Sequence, residues 1–267
     1  MTVLDEILAT KRDEVTLLHR PEVRDLLRSE ALGRPAPRDF AGALRASDTA
    51  VGVVAELKRR SPSKGDLAPT LDPAGTAAAY AAGGASCLSV LTDGPWFGGN
   101  IDDLQLARDA CDLPVLRKDF VIDEVQVYET RAVGADAMLL IVAAIPDDAL
   151  LGDLHALGRE LGLGVLVEAH DGAELERALA IDSRVVGVNA RDLGTFDEDL
   201  GLGEQLVESV PADVVVVAES AIRSRGDAER MAKAGFDAVL VGEMLVTSAD
   251  PTAAVRELAS VPRRPRR

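Results

Sequence analysis

Eight short aliphatic runs recur along this chain, each followed by a segment patterned as a helix. The runs cover 51–57, 87–91, 114–117, 137–142, 164–168, 185–189, 214–218 and 238–241. Most are continuous Val, Leu, Ile and Ala without polar alternation, the mark of strands buried on both faces of a parallel sheet. The helical patterns cover 72–82, 101–111, 124–133, 147–161, 172–180, 200–209, 224–234 and 251–258. Glycines at Gly83, Gly134, Gly162 and Gly235 close several of them and read as left-handed helix caps. Gly134-Ala135-Asp136-Ala137 and Gly235-Phe236-Asp237-Ala238 are near-copies that each enter a strand, which implies a repeated βα unit. Eight such units in series close an α/β fold, the (β/α)8 TIM barrel. The rival is an open doubly wound sheet, but no Gly-x-Gly-x-x-Gly follows the first run.

The barrel is expected over 47–260. Residues 1–46 stand outside the repeat. Leu4, Ile7, Leu8, Lys11, Val15 and Leu18 follow helical spacing over 3–18, with Lys11 read as helix surface. A second helix is expected over 21–27, and Pro35-Ala36-Pro37 breaks the pattern. This part reads as a helical extension packed on the barrel and closing one end. Residues 261–267, Val-Pro-Arg-Arg-Pro-Arg-Arg, read as a frayed basic tail.

Composition narrows the partners. Aromatics make up 3% of a chain that is 47% apolar, so the core must be aliphatic. The net charge of −16 repels nucleic acid and anionic membranes. An anionic substrate would need a locally positive pocket. The two cysteines, Cys87 and Cys111, imply no disulfide framework and fit a reduced cytoplasm. The first residues lack a signal-peptide pattern, and no apolar run reaches membrane-spanning length. Scarce lysine with abundant carboxylates also fits a salt-adapted cell interior.

The cations point to a site. The chain has 24 arginines and only five lysines, yet Lys58 and Lys118 each stand at the end of a strand run. Arginine stays charged, whereas lysine can exchange its proton. Barrel enzymes place their chemistry at the C-terminal ends of the strands. There the sequence puts Glu56 and Lys58, Lys118, Glu168, Asn189 with Arg191, and Glu219 with Ser220. Strand alternation puts Val54, Glu56 and Lys58 on one face, as it does Leu116, Lys118 and Phe120, and Leu166 with Glu168. Charges that continue an inward apolar row must be paired or functional; a ring of structural salt bridges is the plainer alternative. The loops after the seventh and eighth runs, around Ser220-Ala221 and Gly242-Glu243, suit a phosphate, with the Glu243 side chain turned away and its N–H donating. His19, His155 and His170 lack metal-ligand spacing, so no metal site is read.

Together these segments resemble the indole-3-glycerol phosphate synthase family. The resemblance rests on Ala55-Glu56-Leu57-Lys58-Arg59-Arg60-Ser61-Pro62-Ser63, Leu88-Ser89-Val90-Leu91-Thr92-Asp93 with Trp96-Phe97-Gly98-Gly99, and Leu116-Arg117-Lys118-Asp119-Phe120. It continues through Leu166-Val167-Glu168-Ala169-His170, Gly187-Val188-Asn189-Ala190-Arg191-Asp192-Leu193 and Ala218-Glu219-Ser220-Ala221-Ile222. It implies ring closure, decarboxylation and dehydration of 1-(2-carboxyphenylamino)-1-deoxyribulose 5-phosphate, a small phosphorylated substrate, with no cofactor or metal.

The resemblance also implies roles. Lys118 is the acid at the substrate ketone, while Lys58, Glu168 and Glu56 share the dehydration steps. Asn189 and Ser220 position hydroxyls with Glu219 nearby. Arg191 meets the anthranilate carboxylate, and Ser61 contacts substrate as its loop closes. Phe97, Phe120, Leu139 and Leu193 form the ring slot. Lys58 and the backbone at Ala221, Gly242 and Glu243 take the phosphate. One position departs from the family, which usually has glycine where Ala221 stands; a methyl there is expected to crowd the anion or demand a slightly different loop angle, altering substrate affinity rather than abolishing activity. The alternatives are a Schiff-base aldolase or another phosphate-binding barrel enzyme, and a non-catalytic barrel that binds a sugar phosphate.

Overall fold

The computed structural model describes residues 2–191, 198–264 and 266. Eight parallel strands close a barrel: β1 (Gly52–Leu57), β2 (Cys87–Leu91), β3 (Val115–Lys118), β4 (Ala137–Ile141), β5 (Gly164–Ala169), β6 (Val185–Asn189), β7 (Val215–Glu219) and β8 (Ala238–Val241). Each strand pairs with the next in sequence, and β8 returns to β1. Every position of β1, β2, β4, β6, β7 and β8 is buried. The unbroken aliphatic runs follow from that: inward residues fill the barrel, and outward residues meet the surrounding helices. The expected (β/α)8 architecture is therefore present.

Helix starts explain part of the acidic composition. Asp39, Asp93, Asp123, Asp147, Asp171, Asp199 and Asp250 each accept a backbone N–H in the first turn of a helix. A carboxylate there satisfies a donor the helix cannot, and complements the helix dipole. Among the cap glycines, Gly134, Gly162 and Gly235 have φ of 91°, 79° and 114°, in the left-handed region as expected. Gly83 does not. The helix Pro73–Gly83 runs one residue further, and Gly84 takes the cap at φ 93°. Gly83 is glycine for contact: a Cβ would lie 2.7 Å from both Thr252 O and Val255 Cβ, where helix Pro251–Ala259 crosses.

The near-copied motifs do the same structural job on two sides of the barrel. Asp136 and Asp237 are buried just before β4 and β8. Each takes a backbone N–H from the neighbouring strand, Val115 at 3.0 Å and Val216 at 2.9 Å. Each also pairs with arginine: Arg108 at 3.0 Å on Asp136, Arg45 at 2.7 Å on Asp237. The basic tail, read from sequence as frayed, adds to the second cluster, since Arg263 and Arg266 also reach Asp237.

The N-terminal segment clasps the barrel from mouth to base. Helix α1 (Val3–Leu18) turns Val3, Leu4 and Ile7 toward the C-terminal mouth. Helix α2 (Pro21–Gly33), longer than the sequence pattern implied, packs on helix Glu124–Ala132. Helix α3 (Phe40–Leu44) seals the base, where its two buried ends, Phe40 and Leu44, meet Gly164 and Gly52 at the starts of β5 and β1. Lys11 is not helix surface; it is buried to 2% exposure.

Removing the shared acceptor tests the basal cluster. Asp237→Ala is expected to cost about 3 kcal/mol in urea unfolding, because several guanidinium groups lose their counter-charge. A shift of less than about 1 kcal/mol would mean that the cluster is only surface electrostatics.

Candidate active site

The C-terminal ends of the strands surround an open cavity of about 1160 Å³. Glu56, Lys58, Phe97, Lys118, Phe120, Leu139, Glu168, Asn189, Arg191, Glu219, Ser220, Ala221, Gly242 and Glu243 all line it. Of the residues singled out from sequence, Ser61 is buried beside the cavity without lining it, while Pro62 does. Leu193 lies outside the described residues.

Lys118 occupies the centre of the polar cluster. Its Nζ donates to Glu168 Oε2 at 2.8 Å and Glu219 Oε2 at 2.6 Å, from strands two and four places away around the barrel. Burial alone would drive the proton off this lysine. Glu168, Glu219 and Glu56 together outweigh burial and hold the ammonium well above the ordinary lysine range. The two carboxylates are pushed apart. Burial would raise Glu168, but Lys118 and His170 hold it well below the usual carboxylate range. Glu219 is pushed up to about 8 by burial and by the Glu168 charge, which Lys118 only partly offsets. Two neighbouring carboxyl groups are thus pushed in opposite directions beside one ammonium. Paired groups with divergent proton affinities are what acid–base chemistry requires.

Space for this cluster comes from glycine. Gly187 on β6 sits opposite Glu168 in register, and a Cβ there would overlap Glu219 Oε1. Glu219 Oε1 is buried and has no hydrogen-bond partner among the described residues. Asn189 donates to Glu168 Oε1 at 3.0 Å. His170, from the loop after β5, places Nε2 3.2 Å from the same oxygen and Nδ1 3.0 Å from Glu174. The first is a charge contact rather than an aligned hydrogen bond. Burial opposes a charge on this imidazole, but Glu168 and Glu174 prevail and raise it to about 10. Sequence spacing gave His170 no role; its signal was its position two residues beyond Glu168, on the same side of the strand.

The opposite wall combines an ion pair with backbone. Lys58 pairs with Glu56 Oε1 at 2.8 Å, and Ser89 donates to Glu56 Oε2 at 3.3 Å. Gly242 packs directly on this pair: a Cβ would overlap Glu56 Oε1 and come within 3.1 Å of Lys58 Nζ. Between the two walls the chain turns through Ser220 and Ala221, at φ 64° and 58°. Both lie in the left-handed region, which costs an L-residue with a side chain on the order of 1–2 kcal/mol. That backbone, beyond any crowding by the methyl, accounts physically for a preference for glycine at position 221.

The apolar wall comes from loops and the extension. Phe97 and Phe120 meet with centroids 6.2 Å apart. Asp93 caps the short helix Gly94–Phe97 that carries Phe97. Arg191 at the rim donates to Glu198 through Nε at 3.1 Å and lies 3.4 Å from Ser63 Oγ.

His170 supplies a pH test. Its folded value, about 10, lies above the unfolded 6.5, so its stabilisation is fully present below about pH 6.5 and disappears as pH rises toward 10. His170→Asn should flatten the loss of melting temperature between pH 6.5 and 9.5 relative to wild type. Parallel wild-type and variant curves would mean that the imidazole is not charged in the fold. Packing supplies another. Gly187→Ala should destabilise by about 1–3 kcal/mol, because the methyl must displace Glu219; an unchanged urea midpoint would contradict the contact.

Comparison with known proteins agrees with this geometry. The family model described as Indole-3-glycerol phosphate synthase matches residues 4–258. An indole-3-glycerol phosphate synthase from Laribacter hongkongensis is 50% identical over 259 residues, covering 96% of this chain and 98% of that protein. Proteins of the same description from Burkholderia vietnamiensis (47% identical, 96% and 98% covered) and an Arthrobacter species (46%, 97% and 96%) are similar throughout. Among solved structures, a thiamine phosphate pyrophosphorylase from Pyrococcus furiosus superposes with a TM-score of 0.58 at 18% identity, over 84% of this chain and 97% of that one. At that identity the likeness speaks for the barrel alone. Sequence, barrel and full-length matches agree: the chain belongs to the indole-3-glycerol phosphate synthase family.

Proposed function

We propose that the chain converts 1-(2-carboxyphenylamino)-1-deoxyribulose 5-phosphate into indole-3-glycerol phosphate, releasing CO2 and water. The observation that carries the reading is the Lys118 ammonium between Glu168 and Glu219, lining a cavity with an apolar wall on one side and the Lys58–Glu56 pair on the other. The anthranilate ring takes the apolar wall of Phe97, Phe120 and Leu139, and its carboxylate faces Arg191. The phosphate takes Lys58 and the backbone N–H groups near Ala221, Gly242 and Glu243. Asn189, Ser220 and the unpaired Oε1 of Glu219 receive the substrate's hydroxyls. Ser61 acts through closure of its loop.

Ring closure needs electrons withdrawn from the ketone. Lys118 donates a proton to the carbonyl oxygen as the ring carbon bearing the carboxylate attacks the carbonyl carbon. One C–C bond forms and the ketone becomes a hydroxyl. Loss of CO2 leaves its electron pair in the ring and restores aromaticity. The hydroxyl then departs as water with a proton from an acid, while a base removes the adjacent carbon-bound proton. Glu168, Lys58 and Glu56 share that second half. Because the carboxylates keep Lys118 protonated, they favour an acid over the free amine a Schiff-base aldolase would need. A non-catalytic barrel gives no reason for the split proton affinities of Glu168 and Glu219. A cytoplasmic location belongs to the same reading, supported by the unpaired Cys87 and Cys111.

The direct assay is growth of indole fluorescence when the carboxyphenylamino-deoxyribulose phosphate is added to folded protein; no indole product would refute the assignment. Lys118→Met should lower kcat by about 10²–10⁴-fold, as expected for a positioned general acid. A near-normal rate would remove Lys118 from that role. Ala221→Gly should lower KM for the phosphorylated substrate, since glycine adopts the left-handed turn without strain. An unchanged KM would show that the methyl does not affect phosphate contact.

A further inference from the structure

Helix α1 brings one charged side chain into the barrel. Val3, Ile7 and Lys11 fall at i, i+4 and i+8 on one face. The first two line the active-site cavity, and Lys11 continues that row into the protein at 2% exposure. Its Nζ lies 2.9 Å from Asp93 Oδ2 and 2.8 Å from Asp119 Oδ1, with both aspartates buried, and 2.8 Å from Glu14.

The two aspartates belong to different loops, and each holds part of the site. Asp93 Oδ1 accepts Trp96 N at 2.8 Å and Phe97 N at 3.3 Å, which fixes the turn that presents Phe97. Asp119 follows Lys118 directly. Its Oδ1 accepts Phe120 N at 2.8 Å, and its Oδ2 takes Thr92 Oγ1 at 2.6 Å and Arg117 Nη2 at 3.1 Å. One ammonium therefore ties the β2 loop to the end of β3. Phe97 and Phe120, the facing aromatic pair, are the residues those two loops supply to the cavity.

We infer that Lys11 is a positioning residue: the N-terminal helix helps to set the spacing of the Phe97–Phe120 slot and the aim of Lys118 through this buried link, alongside the direct Thr92–Asp119 hydrogen bond. Charge balance is part of its work, since Lys11 is the counter-charge that Asp93 has among the described residues, the other oxygen of Asp93 serving as a helix cap. Asp119 has Arg117 as a counter-charge already, and Thr92 donates to it directly, so what the Lys11 contact to Asp119 adds is a tie from both loops to α1. A misplacement of about 1 Å can cost on the order of 10²-fold in rate, so such a bridge bears on turnover without touching substrate.

The inference rests on the ring-closure reading for its assay, and wild-type turnover under the same conditions separates failure of that reading from failure of this one. Lys11→Met removes the bridge at similar side-chain length. The double variant Lys11→Met/Asp93→Asn also removes the uncompensated charge, and asparagine preserves the cap. The expected result is that the double variant recovers most of the melting temperature lost by the single one, while both keep kcat on the order of tenfold below wild type with KM raised several-fold. Recovery of wild-type kcat and KM along with stability in the double variant would overturn the inference. So would failure of both variants to fold, because Lys11 would then be a staple of the core.

Discussion

The part-buried ammonium of Lys118, clamped by Glu168 and Glu219, is the interaction around which the mouth of this barrel is arranged. A lone charge placed there would lose its proton or destabilise the fold by several kcal/mol. Two carboxylates supply the counter-charge, and their environments differ. Burial and the Glu168 charge push Glu219 toward its neutral form, while Lys118 and His170 hold Glu168 ionised.

The rest of the site keeps that arrangement in place. Register along the parallel strands sets Glu168 against Gly187 and Asn189 against Glu219, so residues far apart in sequence meet without long side-chain excursions. At Gly187 and Gly242 even a methyl would displace a glutamate that lines the cavity. His170 and Asn189 brace Glu168 from outside, and α1 braces the loops from above. In a chain of net charge −16, the cavity gathers Lys58, Lys118 and Arg191 around its walls. Each of these cations is paired with a carboxylate, Lys58 with Glu56, Lys118 with Glu168 and Glu219, and Arg191 with Glu198, so an anionic ligand has to compete with those pairs rather than enter a net positive field.

Much of this was legible from residue order, because the barrel obeys simple periodicities. Continuous aliphatic runs identified the eight strands, and alternation along them predicted that Glu56, Lys58, Lys118 and Glu168 would share the interior. The limits were equally physical. Of the adjacent glycines Gly83 and Gly84, only packing against Pro251–Ala259 decides which one caps the helix. Gly187 reads as an ordinary small strand residue until Glu219 is seen to need its space. Lys11 was misread because helical periodicity marks it only as one lysine in an apolar row. The rule applied to the strands, that a charge continuing an apolar row must be paired or functional, would have singled it out. The left-handed turn at Ser220-Ala221 left no trace in the residue types, since neither residue favours it.

The central claim is that Lys118 carries its proton because the two glutamates hold it there. Only five lysines are present, so side-chain 15N spectra of lysine-labelled protein contain few signals, and the one lost in Lys118→Met is assigned directly. Followed through alkaline pH, that ammonium should persist after the exposed lysines have titrated near their ordinary value of about 10.4. A Lys118 signal that titrates with the others, or before them, would contradict the account.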